Sequence, residues 1–155
     1  MLEVGTTAPQ ITLADQQGTT RTLNEFLGNW VLIYFYPKDN TPGCTREACG
    51  IRDTWDRFEQ SGVTVLGISA DSVESHQKFI KDHQLPFTLL SDPEKKVIKA
   101  YEALGEKMMF GKKYTGILRV SYLIDPEGKI RRAYSKVQPN KHAEQILKDM
   151  TELKK

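Results

Sequence analysis

One segment limits the possible folds more than any other: Val31-Leu32-Ile33-Tyr34-Phe35-Tyr36, an unbroken run of β-branched, aliphatic and aromatic residues closed by Pro37. A strand with one wet face alternates apolar and polar positions, so a run without alternation predicts a central strand buried on both faces. Such a strand needs a layer of structure above it and another below. Even with Trp30 included it falls far short of the roughly 18 to 20 apolar residues that cross a bilayer, so a membrane role is not expected.

The rest of the chain supplies the layers. Early strands with a turn at Gln16-Gln17-Gly18 lead to a short helical segment near Asn24 to Leu27. After the loop Lys38 to Asn40, a helix pattern runs from Thr41 to about Gln60 and is stopped by Gly62. A second buried strand follows at Val63 to Ser69, then a helix with Asp71 as N-cap and Glu74 three residues on, ending before Pro86. Thr88 to Leu90 reads as a short strand, and Asp92-Pro93 as N-cap and first turn of a helix carrying Val97, Ile98 and Tyr101. Gly105 to Gly116 reads as a loop. Strands Ile117 to Ile124 and Ile130 to Val137 are joined at Asp125-Pro126-Glu127-Gly128, and a last helix carries Ala143, Ile146, Leu147, Met150 and Leu153 on one face.

A β-α-β unit followed by a β-β-α unit predicts an α/β, thioredoxin-like fold: a central mixed β-sheet flanked by helices, with an N-terminal β extension. With 155 residues and no repeat, low-complexity tract or linker, the expectation is one domain spanning 1–155. A chain of this size buries about two thirds of its unfolded surface, so its two cysteines are not needed as staples. The balance of 22 Lys+Arg and 20 Asp+Glu leaves a net charge of +2, which excludes functions that depend on a strong field, such as wholesale binding of nucleic acid or an anionic membrane. Met-Leu-Glu-Val-Gly at the start has neither a signal-peptide nor a transit-peptide pattern, so a reducing cytoplasm with both cysteines as thiols is expected.

Those cysteines are unequal. Thr41-Pro42-Gly43-Cys44 is a helix start, with Thr41 at the N-cap, Pro42 at N1 and Cys44 at N3. Unpaired N–H groups of the first turn and the positive end of the helix dipole favour a thiolate there, the nucleophilic form of the side chain. Cys44 also extends the apolar stripe Ala48, Ile51, Trp55 and Phe58, so it has a packing role to play as well. Cys49 stands five residues on. In an uninterrupted helix its Cα lies about 8 to 9 Å from that of Cys44, turned by roughly 140°, whereas a disulfide needs the Cα atoms within about 7 Å. Pairing therefore requires the first turns to unwind, with Gly50 as the weak point.

The string Pro37-x-x-x-Thr41-x-x-Cys44 resembles the peroxiredoxin active-site motif. The longer string from Tyr34 through Pro37-Lys38-Asp39-Asn40-Thr41-Pro42-Gly43-Cys44-Thr45-Arg46-Glu47-Ala48-Cys49 is similar to the peroxiredoxin Q, or bacterioferritin comigratory protein, branch. The resemblance continues through Gly67-Ile68-Ser69, Leu89-Leu90-Ser91-Asp92 and Gly116 to Asp125. Ser121-Tyr122 departs from the Thr-Phe more usual in the family, without touching the chemistry.

The resemblance implies a thiol-dependent peroxidase acting on hydrogen peroxide and organic hydroperoxides. Cys44 is then the peroxidatic cysteine and Cys49 the resolving one, joined in a redox disulfide. Thr41 and Arg119 hold the peroxide, Gly43 lends a backbone N–H, and Pro37 shields the sulfur. Thioredoxin or a similar dithiol is the implied reductant, no cofactor or metal is required, and a monomer is expected. The chemistry also follows physically: a thiolate attacking R–O–O–H develops charge on the departing oxygen, and fixed donors aimed there lower the barrier. The Thr41 hydroxyl, the Gly43 and Cys44 N–H groups and the Arg119 guanidinium are the candidates; a charge that never titrates also favours the thiolate.

Other readings are weaker. A thiol–disulfide oxidoreductase lacks its C-x-x-C here. A metal module lacks ligand spacing with the cysteines, since His76 and His83 fall on the predicted helix before Pro86 and His142 on the last one, and all three read as solvated surface residues. Arg119 read without the resemblance is a surface arginine in an edge strand, and Glu47 a first-turn carboxylate at the helix dipole, to which the resemblance adds a part in ordering the active-site turn. The basic pairs Lys112-Lys113, Arg131-Arg132 and Lys154-Lys155 read as solubility charge. Met108-Met109-Phe110 is open between core packing, a pocket cover and a partner contact.

Overall fold

The computed structural model describes residues 1–154. Strands β1 (Thr12–Asp15) and β2 (Thr20–Thr22) form the N-terminal hairpin, and a short 3-10 turn, Leu23–Glu25, leads to β3 (Trp30–Phe35). Then come α1 (Pro42–Asp53), α2 (Trp55–Ser61), β4 (Val63–Ser69), α3 (Val73–His83), β5 (Thr88–Ser91) and α4 (Lys96–Ala100). The chain finishes with β6 (Leu104–Met109), β7 (Lys112–Ile117), β8 (Ser121–Ile124), β9 (Ile130–Tyr134) and α5 (His142–Leu153).

Seven strands make one mixed sheet in the order β2-β1-β5-β4-β3-β8-β9. The strands β3, β4 and β5 run parallel, while β8 and β9 add antiparallel on one side and β1 on the other. The architecture is the expected thioredoxin-like one, with β3 central and buried on both faces. Leu32, Tyr34 and Tyr36 pack with Cys44, Ala48, Ile51, Phe79 and Ile146 on the α1–α3–α5 side. Val31, Ile33 and Phe35 face the opposite way, toward Ile98, Tyr101 and Ile124. Each such large side chain contributes roughly 1.5 to 3 kcal/mol of burial free energy, which is why no polar residue interrupts the run. Among the described residues no helix is long and apolar enough to cross a membrane.

Several boundaries differ from the sequence expectation. The long helix after Thr41 breaks at Thr54, whose Oγ1 donates back to the carbonyls of Gly50 and Ile51 at 2.8 and 3.3 Å, the back-bonding that bends helices. The α3 cap is Ser72 rather than Asp71: Ser72 Oγ accepts from Ser75 N at 3.1 Å, while Asp71 Oδ2 is taken by Ser69 Oγ and the Asp39 N–H. Asp92 accepts from the N–H groups of Lys96 and Ile98, but Lys95 at φ 61° delays the helix to Lys96.

The segment expected as a loop, Gly105 to Gly116, is the hairpin β6–β7, closed by Phe110 and Gly111 at φ 53° and 77°. Two successive left-handed residues make the turn that matches strand twist. The strand expected from Ile117 to Ile124 is interrupted at residues 118–120, which cross from the hairpin to the sheet, and β9 stops at Tyr134.

Candidate functional site

The site begins where β3 ends. Thr41 is extended (φ −88°, ψ 154°) and its carbonyl accepts from Thr45 N–H at 2.8 Å, with Pro42 at N1 of α1. Its side chain does not cap the helix: Thr41 Oγ1 donates to the Lys38 carbonyl at 2.8 Å. In this arrangement the proton expected to meet the departing oxygen is directed at the Lys38 carbonyl. With its proton committed, the hydroxyl offers lone pairs, suited to accept the O–H of a bound peroxide.

Cys44 is 1% exposed in the first turn of α1, Cys49 is half-buried, and both are free thiols. Arg119 comes not from an edge strand but from the crossing segment 118–120. Its Nη2 lies 3.4 Å from Cys44 Sγ, and its Nη1 donates to Glu47 Oε1 at 2.8 Å. Burial works against the guanidinium, yet Cys44 and then Glu47 hold its pKa above the ordinary value. Gly43 makes this approach possible, because a Cβ there would meet Arg119 Nη2 at 3.1 Å. Pro37 stands two residues after the end of β3 and is half-buried. The structure thus brings Thr41, Gly43, Cys44, Arg119 and Glu47 to one end of β3.

Glu47 reaches Arg119 from the second turn of α1. It is not a solvated first-turn carboxylate but fully buried, and burial pushes its carboxyl up to about 7 against the pull of Arg119. The signal was present, since a glutamate three residues after Cys44 lies on the apolar stripe, where an acid needs a partner. Two histidines expected at the surface are also buried. His142 opens α5 with Nε2 3.0 Å from Ser121 Oγ and 3.9 Å from Glu47 Oε2. Burial, then the Arg119 charge, pushes it down to about 4.

His76 belongs to a second buried cluster that holds the loop before Thr41. Its Nδ1 lies 2.7 Å from Asp39 Oδ2 and its Nε2 3.1 Å from the Leu90 carbonyl. Tyr36 and Ser75 hydroxyls also donate to Asp39. Asp39, Asp71 and His76 place ligand-type atoms within 4.8 Å of one another, but hydrogen bonds within the protein engage them. His83 is half-buried, with Nε2 2.9 Å from Asn40 Oδ1.

Core packing is overturned for Met108-Met109-Phe110: Phe110 is 98% exposed at the tip of the β6–β7 hairpin. Nearer the sheet, burial and then the Arg119 charge hold the half-buried Lys107 amine below its ordinary range.

A thioredoxin-like sheet with an activated-cysteine geometry at the end of its central strand defines a thiol-dependent peroxidase of the peroxiredoxin class. The AhpC/TSA family model matches residues 4–133, and the chain belongs to that family. A putative peroxiredoxin Bcp of Coxiella burnetii is 48% identical over 146 residues, covering 94% of this chain and 97% of the relative. Peroxiredoxin Bcp of Bacillus subtilis is 44% identical over 154 residues, covering 97% and 98%. Among solved structures, the chain is similar to a Xylella fastidiosa PrxQ cysteine-to-serine mutant at TM-score 0.93 and 34% identity, covering 100% and 99%. It is also similar to a Xanthomonas campestris bacterioferritin comigratory protein, solved in a study of alkyl peroxide reduction, at TM-score 0.88 and 37% identity, covering 94% and 92%.

Proposed function

We propose that this enzyme reduces hydrogen peroxide and alkyl hydroperoxides at Cys44 and closes its cycle through a Cys44–Cys49 disulfide. The carrying observation is the Arg119 guanidinium, which faces Cys44 Sγ with one nitrogen and is fixed by Glu47 through another. The thiolate attacks one peroxide oxygen; the O–O bond breaks, sulfur becomes a sulfenic acid, and the departing oxygen takes a proton to leave as water or an alcohol. Arg119 and the free first-turn N–H groups stabilise the charge on that oxygen, while Thr41 accepts from the peroxide O–H. The Cys49 thiol then displaces water from the sulfenic acid, and two electrons from an external dithiol reopen the disulfide.

Thioredoxin or a similar dithiol fits this last step, a reducing cytoplasm fits two resting thiols, and the proposal takes the working form as a monomer without nucleic acid or membrane. No added cofactor enters any step. A head-to-head assay tests the reading: hydroperoxide consumption with thioredoxin as reductant, intact mass of the oxidised product, and insulin reduction as the competing activity. Peroxide turnover with an intramolecular disulfide is expected. Insulin reduction without peroxide turnover would overturn it.

A further inference from the structure

Behind Cys44 lies a buried polar cluster of which the cycle above uses only half. Three buried polar atoms have no hydrogen-bond partner among the described residues: Glu47 Oε2, His142 Nδ1 and the Tyr34 hydroxyl. Strand pairing puts Tyr34 opposite Ser121, the residue whose Oγ is 3.0 Å from His142 Nε2. The groups facing Glu47 are Cys44 on its own helix, Arg119 from segment 118–120, His142 on α5 and Tyr34 on β3.

Arg119 carries one positive charge and faces two acids, Cys44 and Glu47. Whichever acid is neutral leaves more of that charge to the other. The balance turns on Glu47 Oε2, which the His142 ring approaches, with Nε2 3.9 Å away. The tautomer follows from proton counting. A buried N–H without an acceptor is costly, and only Nε2 has oxygens in front of it, so Nε2 carries the hydrogen. It donates to Ser121 Oγ and leans toward Glu47 Oε2, favouring the ionised carboxylate that grips Arg119.

We propose that His142, held by Ser121 against the free oxygen of Glu47, is a positioning residue that decides how the Arg119 charge is divided between Glu47 and the Cys44 sulfur. The proposal rests on the peroxidatic role given to Cys44. Without the Nε2–H, the polarised hydrogen that leans toward Glu47 Oε2 from 3.9 Å is gone and the carboxyl holds its proton more tightly. The Arg119 charge then falls on Cys44 alone, yet the guanidinium is held only by a neutral acceptor and loses its fixed aim at the departing oxygen. A simple packing defect would not make the thiol more reactive to one reagent and less to another.

The test is a double-mutant cycle between His142→Phe and Glu47→Gln with two readouts. These are alkylation of Cys44 by iodoacetamide at pH 7.5, where Glu47 is mostly ionised in the parent, in a Cys49→Ser background, and kcat/KM for hydrogen peroxide. His142→Phe is expected to speed alkylation about threefold and to lower kcat/KM about tenfold, while adding less than about twofold to either once Glu47 is Gln. His142→Gln, which keeps an N–H in reach of Ser121 and Glu47, should return both readouts most of the way. If His142→Phe does not fold, His142→Met against His142→Gln carries the same comparison. Unchanged or slower alkylation, or an equal effect in the Glu47→Gln background, overturns the proposal. Alkylation needs no peroxide, so absence of turnover in the unsubstituted enzyme would sink the proposed function while this cycle still judges His142.

Discussion

Arg119 Nη2 stands 3.4 Å from Cys44 Sγ while the other arm of the same guanidinium is tied to Glu47. One side chain, from a segment 75 residues away in sequence, is the one to which the proposed cycle assigns both the charge that favours a thiolate and the donor that meets a departing oxygen. Arg119→Met keeps much of the stem and removes both. Its kcat/KM for peroxide should fall by about 10² or more, the loss typical of removing an oxyanion donor, and stopped-flow peroxide kinetics would register it. Alkylation of Cys44 by iodoacetamide should slow in parallel; a variant as fast as the parent in both assays would remove Arg119 from the mechanism.

Cys49→Ser should still consume one equivalent of peroxide, because the first step needs only Cys44. Its product is a sulfenic acid, trapped by dimedone and read by mass spectrometry. Thioredoxin-supported turnover at the parent rate would exclude Cys49 as the resolving residue.

Helix α1 is continuous from Pro42 to Asp53 with both thiols free, so the proposed Cys44–Cys49 disulfide requires it to open. Contacts to α3 set the limits of that opening. Asp39 is held by His76, Asn40 faces His83, and at the far end Arg52 Nη1 donates to the His83 carbonyl at 2.7 Å. Amide exchange should accelerate between Thr41 and Arg52 on oxidation and stay unchanged in α3. Equal protection of 41–52 in the two redox states would contradict the model.

Glu47 makes stability depend on pH in a defined direction. Its folded carboxyl sits at about 7 rather than 4.5, so between those values the folded state binds more protons than the unfolded one. The associated stability is complete below pH 4.5 and is lost as pH rises through 7. Glu47→Gln lacks this dependence. Relative to the parent it should gain about 1 to 3 kcal/mol between pH 4.5 and pH 8 in urea unfolding. His142, pushed down to about 4, has the opposite slope between 4 and 6.5; because it is present in both proteins, its effect largely cancels in the difference.

Both His76 nitrogens face oxygens, Asp39 Oδ2 and the Leu90 carbonyl, and the ring is fully buried between them. His76→Phe strands a buried carboxylate and should cost about 3 to 5 kcal/mol, whereas pairing it with Asp39→Asn should recover part of the loss. Denaturant melts of the single and double variants would show it; a single variant as stable as the parent would deny the pair a structural role.

Local chemistry made much of this protein legible. The unalternating run 31–36 gave the central strand, Thr41-Pro42-Gly43-Cys44 gave the helix start, and the spacing of Cys44 and Cys49 gave their inability to pair in a helix. The β6–β7 hairpin stayed hidden because its strands mix polar and apolar positions without a buried face, and only its pairing makes it a strand. Thr54 and Ser72 shifted helix boundaries through single side-chain hydrogen bonds, too local for periodicity to report.

The sequence by itself therefore determined the layered fold and the asymmetry of the two cysteines, because both depend on residues close together along the chain. Tertiary structure alone decided which charges meet the sulfur. Arg119, Glu47, Ser121 and His142 come from four elements, and their burial together turns a glutamate and a histidine that read as solvent-facing into parts of one site. Removal from water is what gives those groups their unusual protonation, and no linear pattern records which groups are buried beside one another.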